Sequence, residues 1–505
     1  MTFPSKCTSY GEIKQNQNPS LQQMNCLLTN AALEANIPPE VVKAVATQEN
    51  GSWKQFTDNG QPTISSDGGI GVMQITNQSS YDQEKLKNDI YYNIQAGVDI
   101  LNNMYNRTDL PKIKGAGRDV IENWYFPIMA YNGTKPVNSP LIQANGSKNT
   151  NAYQEKVFAH IENDSYLTDT KLAQFPFHTT DFVYNPTSDQ NIIFNKLEYT
   201  ITDQMHASAY LFKTGNKVVV TMDGVNLRST PDIKSANSLG KNTPLIIDGD
   251  FVYDQSTGNR FVWYPVKTAD QKLSGYISSA YIINKLDAPV VNPVDENDVS
   301  LSGKAPFANV MIQIMNGTLP VGSTVADATG NFKAEIPTQK VGTNLTVTYK
   351  DKLNELSPAT VTVVKGVLNG WVTQNGKRYY YINDVKQTGW IVISGMKYYL
   401  DNTGAMKTGW LLYNGKWYFF NKNTGVMTTG WVLDGKWYYL DSTGVMKTGW
   451  LSYNKNWYFL TNDGSMATGW VLTGGKWYYL YSNGIMAHDT KIGSYRLGHD
   501  GAWIR

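Results

Sequence analysis

Cysteine is almost absent: Cys7 and Cys26 are the only two in 505 residues. Their spacing admits either a disulfide tying an N-terminal arm to the first helix or two separate thiols. Long apolar runs are missing too. No stretch of eighteen apolar residues occurs, which excludes a membrane-spanning helix. A net charge of +2 leaves no basic excess and argues against a nucleic-acid partner. The opening MTFPSKCTSYGEIKQ has no apolar core, so it does not read as a signal peptide. A protein acting outside the cell would then need another release route, or a leader not in this sequence.

What is abundant is the aromatic side chain, at 12% of residues. Gly-Trp pairs place Trp371, Trp390, Trp410, Trp431, Trp450 and Trp470 at intervals of 19 to 21 residues. A period near 20 marks a stacked array of supersecondary units. Within a unit, Asp434-Gly435 between alternating strands signals a hairpin, and Asn414-Gly415 and Asn375-Gly376 stand in the same place. One hairpin cannot fold alone, so stacking must supply the core.

The chain is too long for one core. Residues 20–165 have helical periodicity, in Leu21–Leu33, Val41–Ala46, Ile90–Leu101 and Val157–Ile161. From about residue 180 the pattern becomes strand-like alternation. Pro289–Asn297 is Pro-rich and acidic and reads as a linker.

In the helical region, Pro38 and Pro39 suit a helix start and Gly51 its end. Val42, Val45 and Ala46 form an apolar stripe whose next position, i+7, is Glu49. A carboxyl among core-facing neighbours has its pKa raised by desolvation. Kept protonated near neutrality, it can donate a proton to a leaving oxygen. The bland alternative is a helix-end Glu in solvent.

Four further features follow in order: Glu49-Asn50, Gly69-Ile70-Gly71-Val72-Met73-Gln74, a helix with Asn93 and Gly97, and Ala130-Tyr131-Asn132. With this set the region resembles the soluble lytic transglycosylases and goose-type lysozymes. The resemblance implies Glu49 as catalytic acid, Met73 and Gln74 lining the sugar groove, and Tyr131 and Asn132 positioning substrate or Glu49. It departs at Asn50, where the family usually has Ser. The implied substrate is the β-1,4 link between N-acetylmuramic acid and N-acetylglucosamine in peptidoglycan. One carboxyl suffices when the sugar's own 6-hydroxyl closes a 1,6-anhydro ring. A hydrolytic muramidase needs a second group to activate water, for which Asp58 and Asp67 are candidates, Asp67 also reading as a turn residue.

Val218–Pro231, with Phe261–Val266 and Gly275–Ser278, resembles bacterial SH3-like barrels. Such barrels often bind peptidoglycan peptides; a spacer is the alternative. Gly303–Pro306 with Ala326–Phe332 resembles bacterial immunoglobulin-like domains, where a spacer is expected. The Gly-Trp array resembles choline-binding repeats. That family's pattern implies three cages: Trp410, Trp417, Tyr439 and Met446; Trp431, Trp437, Phe459 and Met466; Trp450, Trp457, Tyr479 and Met486. Ring faces hold a quaternary ammonium by cation–π attraction. In the first two repeats Arg378 and Lys397 replace the second Trp, and their Tyr-rich strands are closer to glucan-binding relatives. Gly493–Arg505 lacks the full motif and reads as a cap.

The expected fold class is multidomain. An α-helical lysozyme-like domain (1–175) and a lead-in (176–216) precede an all-β SH3-like barrel (217–285), a linker (286–299), an Ig-like sandwich (300–365) and a C-terminal β-hairpin solenoid (366–505). The expected partners are peptidoglycan strands and choline-substituted teichoic acid, or a glucan. No metal or other cofactor is implied. The expected place is the cell wall, for a phage endolysin or a bacterial autolysin. The rival is a non-catalytic wall-binding adhesin or scaffold.

Overall fold

The computed structural model describes residues 2–164, 171–234, 236–256 and 258–505. The chain forms two compact units, Met1–Val294 with Asp298–Thr338 and Thr343–Val363, and Asp295–Asn297 with Gln339–Gly342 and Val364–Arg505. No helix among the described residues is long and apolar enough to cross a membrane.

The first unit begins with helices α1 (Leu21–Glu34), α2 (Pro39–Glu49), α3 (Gln83–Asn88), α4 (Ile90–Tyr105), α5 (Tyr125–Asn132) and α6 (Tyr153–Asn163). Ser20 caps α1 by accepting from the Gln23 N–H, and Asp82 and Asp89 cap α3 and α4 in the same way. Cys7 and Cys26 are joined as a disulfide, tying the N-terminal arm to α1. In α2, Val41, Val42, Val45 and Ala46 are fully buried. The helix stops at Glu49 because Asn50 turns extended, with φ −150°. Gly51, the expected terminator, has no left-handed φ; that conformation falls to buried Trp53 at +52°.

Residues 171–216, which include the expected lead-in 176–216, pack on the helices. Glu122, wholly buried, accepts from His206 N (2.9 Å), His206 Nδ1 (2.7 Å) and Ala173 N (3.1 Å). Phe175, Phe177, Phe182, Phe194 and Tyr199 gather around Phe126 of α5.

A seven-stranded antiparallel sheet follows, in the order Ile282–Asn284, Lys217–Val220, Pro244–Ile247, Trp263–Thr268, Ser274–Ser278, Val225–Arg228, Ala236–Leu239. Its core is continuous with that of the helices. Gln22 and Asn25 of α1 donate to the carbonyls of Tyr253 and Phe261, each at 3.0 Å. The buried Lys43 Nζ donates to Tyr210 Oη (2.7 Å) and the Arg260 carbonyl (3.0 Å).

Two further sheets make the Ig-like sandwich. One joins Val290–Val291, Ser300–Lys304 and Asn331–Glu335; the other joins Leu319–Val325, Met311–Asn316, Asn344–Lys350 and Thr360–Val363. Alternate residues point inward, among them Leu301, Ala334, Ile312, Ile314, Leu345 and Val347.

In the second unit, six hairpins begin at Gly370, Gly389, Gly409, Gly430, Gly449 and Gly469, and a three-stranded end closes the array at Thr490–Ile492, Tyr495–Leu497 and Trp503–Ile504. Asn414 and Gly415 both take positive φ, 48° and 73°, as a two-residue hairpin turn demands. One contact recurs between neighbouring repeats of the array. A Cβ at Gly425, Gly444, Gly464 or Gly484 would come within 2.2–2.5 Å of the sulfur of Met406, Met427, Met446 or Met466. Each thioether therefore lies on bare backbone of the following turn.

Candidate functional site

Glu49, half-buried at the end of α2, opens into a cleft of about 630 Å³ lined by Asp67, Gln74, Gln78, Tyr131 and Asn132, among others. Tyr153, at the start of α6, donates its hydroxyl to Glu49 Oε1 at 2.7 Å. Burial is the main cause that pushes the Glu49 carboxyl up to about 7, with the charge of Asp67 adding to it and the Tyr153 hydrogen bond opposing it. The Tyr153 and Tyr131 phenols are themselves pushed well above their usual range by burial and by Glu49. The acid thus keeps its proton in roughly half of the molecules at neutrality, beside neutral phenols.

The glycine-rich turn is shaped by α4. Asn93, fully buried, donates to the carbonyls of Ile70 (2.8 Å) and Leu86 (3.0 Å) and accepts from Met73 N (3.0 Å). Gly71 must be glycine: its φ is +76°, and a Cβ would lie 2.3 Å from the Asn93 amide. Gly97 leaves room for Met73, whose side chain would otherwise meet a Cβ at 2.7 Å. So Met73 does not line the groove. It is wholly buried and contributes its carbonyl, which accepts from Tyr131 Oη at 2.6 Å. Gln74 takes φ +49° and folds back to donate to the Gly71 carbonyl at 2.9 Å, facing the cleft.

Asn132 is exposed in the cleft and accepts from Asn138 Nδ2 at 2.9 Å. Asn138 also accepts from Tyr153 N at 3.0 Å, which couples the end of α5 to the start of α6. Of the two candidate second carboxylates, Asp67 lines the cleft and is held below its usual range by the Ser65 hydroxyl. Asp58 instead pairs with Lys54 at 3.0 Å on the surface.

Tyr153 was invisible to sequence reasoning, and so was Arg260. From the loop before the strand Trp263–Thr268, Arg260 donates to Thr47 Oγ1 and to the Gly51 carbonyl (2.6 Å), and its guanidinium lies 4.7 Å over the Trp53 ring. It braces the turn that follows Glu49.

In the array, Trp410 and Trp417 meet edge to face at 6.3 Å, and Trp450 and Trp457 at 6.4 Å. Met446, Met466 and Met486 donate their N–H to the carbonyls of Trp417, Trp437 and Trp457. The third ring differs. Trp410, Trp431 and Trp450 are met by Tyr438, Tyr458 and Tyr478 of the following hairpin, at 4.8, 5.0 and 4.8 Å. Tyr439 and Phe459, expected as walls, lie against Trp431 and Trp450 of their own hairpins at 5.2 and 5.0 Å, and Tyr479 against Trp470 at 5.2 Å. Alternation along the strand sends adjacent residues to opposite faces, so a one-residue shift changes the neighbour.

The C-terminal segment is more than a cap. Trp470, Trp477, Tyr495 and Trp503 line a cavity of about 340 Å³. At the other end, the Arg378 guanidinium sits 4.5 Å over the Trp371 ring, and Met406 N donates to the Arg378 carbonyl at 2.8 Å. The face of Trp371 is thus covered by the protein's own cation.

Residues 27–154 match the family model of the transglycosylase SLT domain, residues 287–366 that of a bacterial Ig domain, and residues 387–431, 428–468 and 448–491 that of the choline-binding repeat. The first of these supports a lytic transglycosylase, a glycosidase-type enzyme. Among solved structures the chain is similar to choline binding protein F from Streptococcus pneumoniae, at 22% identity over 53% of this chain and 98% of that one, with a TM-score of 0.27. It is also similar to the modular autolysin LytC from Streptococcus pneumoniae, at 25% identity over 31% and 40%, with a TM-score of 0.22. The pneumococcal cell wall endolysin from phage Cp-1, complexed with choline, matches at 34% identity over 26% and 42%, with a TM-score of 0.20. No curated protein matches the chain.

Proposed function

We propose that this protein cleaves the β-1,4 bond between N-acetylmuramic acid and N-acetylglucosamine with a 1,6-anhydro product, while its repeats hold it on choline-substituted wall polymer. The carrying observation is the Glu49 carboxyl, pushed up to about 7 and fixed by Tyr153 inside the cleft. Glu49 gives its proton to the glycosidic oxygen as the C1–O bond breaks and the N-acetylglucosamine hydroxyl leaves. The carboxylate left behind takes the proton of the muramyl 6-hydroxyl as that oxygen bonds to C1. No water enters. Gln74, Tyr131 and Asn132 would orient the sugars, and Tyr153 steadies Glu49 in both protonation states.

Residues 217–285 are assigned an SH3-like barrel, the domain boundaries are those expected except that 176–216 is grouped with the helices, and the working place is the cell wall. The cation cages are Trp410, Trp417, Tyr438 and Met446; Trp431, Trp437, Tyr458 and Met466; Trp450, Trp457, Tyr478 and Met486; and the terminal Trp470, Trp477, Tyr495 and Trp503. Each ring contact contributes about 0.5–2 kcal/mol, so several cages act by avidity.

A second reading, a hydrolytic muramidase, rests on Asp67 in the same cleft. Wall suspensions should clear with the native protein and not with Glu49→Gln, and mass spectrometry of the fragments should find anhydro ends. Reducing ends alone select the muramidase. Equal clearing by both proteins removes Glu49 as the catalytic acid, and clearing by neither leaves a wall-binding scaffold.

A further inference from the structure

The extreme end of the array carries a polar cluster that neither the cleft nor the cages use. His488 and Asp489 directly precede the strand Thr490–Ile492, and His499 sits in the turn between Tyr495–Leu497 and Trp503–Ile504. Pairing of Thr490 with Leu497, and of Leu497 with Trp503, draws these turns together. The Asp489 N–H donates to the Gly498 carbonyl at 3.0 Å and fixes the junction.

His488 Nδ1 lies 2.9 Å and His499 Nδ1 2.8 Å from the same oxygen, Asp489 Oδ2. One ligand atom from each of the three residues lies within 4.8 Å of the others. Two of the chain's five histidines therefore converge on one carboxylate. Metal bonds of about 2.0–2.2 Å set tetrahedral ligand atoms roughly 3.3 Å apart. Small side-chain rotations would bring the observed separations to that spacing. All three residues are exposed, so an ion has access and water can complete the coordination.

We infer that His488, Asp489 and His499 form a binding site for a divalent first-row transition cation of the Zn²⁺ type. Two imidazole nitrogens with one carboxylate oxygen suit Zn²⁺, whereas Ca²⁺ and Mg²⁺ require shells built from oxygen. The spacing of the two histidines matches no metal motif, which is why the sequence reading named no metal. A bound ion would pin the His499 turn, and with it the strand carrying Trp503, which lines the terminal aromatic cavity. The site stands independently of the choline and transglycosylase readings.

The test is calorimetric titration of the EDTA-stripped full chain with ZnCl₂. One saturable ion per chain is expected, together with a higher melting temperature in Zn²⁺. His499→Ala and His488→Ala should each remove the binding, and Asp489→Asn should weaken it at least tenfold. No saturable binding, or binding that survives both histidine variants, overturns the site and sends any ion to the other histidines. Should His499→Ala lose its native circular dichroism, His488→Gln decides: Zn²⁺ binding that persists in it overturns the proposal.

Discussion

Tyr153 donates its hydroxyl to Glu49 Oε1 at 2.7 Å across a sequence separation of 104 residues. The bond favours the carboxylate form and opposes the desolvation that raises the acid. Removing it in Tyr153→Phe should move the alkaline limb of the pH–rate profile upward, by up to about one pH unit. The rate should fall about tenfold as the carboxyl loses its fixed orientation. Initial rates of wall solubilisation across pH 5–9 check this; an unmoved alkaline limb contradicts it.

Glu49→Gln separates charge from shape. In the folded protein Glu49 binds its proton more tightly than the usual value of 4.5, with a pKa of about 7. Its contribution to stability is thus fully present below about 4.5 and lost as pH rises through about 7. The variant has nothing to titrate there. It should gain on the native protein between pH 5 and pH 8, on the order of 1–2 kcal/mol, while activity drops at least about a hundredfold. Glu40, also raised to about 7 by burial, titrates in both proteins and cancels. Urea unfolding at the two pH values gives the comparison.

Arg378 stacks on Trp371 where later repeats carry a second Trp. Replacing it in Arg378→Trp removes the internal cation and supplies the missing wall. Calorimetric titration with choline should count about one more site per chain, each ring contact being worth about 0.5–2 kcal/mol. An unchanged count means the first hairpin pair is closed for another reason.

Arg260, in the loop before the strand Trp263–Thr268, is tied to the turn after Glu49. Arg260→Ala should cost about 1–3 kcal/mol, lower lytic activity several-fold and leave retention on a choline resin unchanged. Arg260→Lys should rescue little, because an ammonium cannot reproduce the planar fork over Trp53. Full lytic activity in Arg260→Ala contradicts the bracing role.

Glu49 was legible because its place on the stripe of Val42, Val45 and Ala46 is a local property of one helix. Asn93 and Gly97 were legible as a motif, but their work, shaping the 70–75 turn, is tertiary. Tyr153 and Arg260 left no local trace because their partners lie far away in sequence. Met73 was misplaced because the same residue type fills cores and lines grooves, and only the hollow at Gly97 decides between them. In the array, alternation grouped the rings by face correctly, but a single chain cannot say which face meets the next hairpin. That is why Tyr438, rather than Tyr439, stands against Trp410. Cys7 and Cys26 were undecided for the same reason: pairing depends on where the arm before α1 lies.

The sulfur-on-glycine seam between Met406 and Gly425 recurs at Gly444, Gly464 and Gly484. Because each joint from Met406 onward repeats the same fit, a duplicated segment of gene inserts a link that mates with its neighbours on both sides. Grip on the wall can then be lengthened or trimmed in whole steps without redesigning any part. The vulnerability is equally discrete: a methyl added in such a turn, where φ lies between +74° and +87°, strains the backbone and crowds the thioether at that one joint.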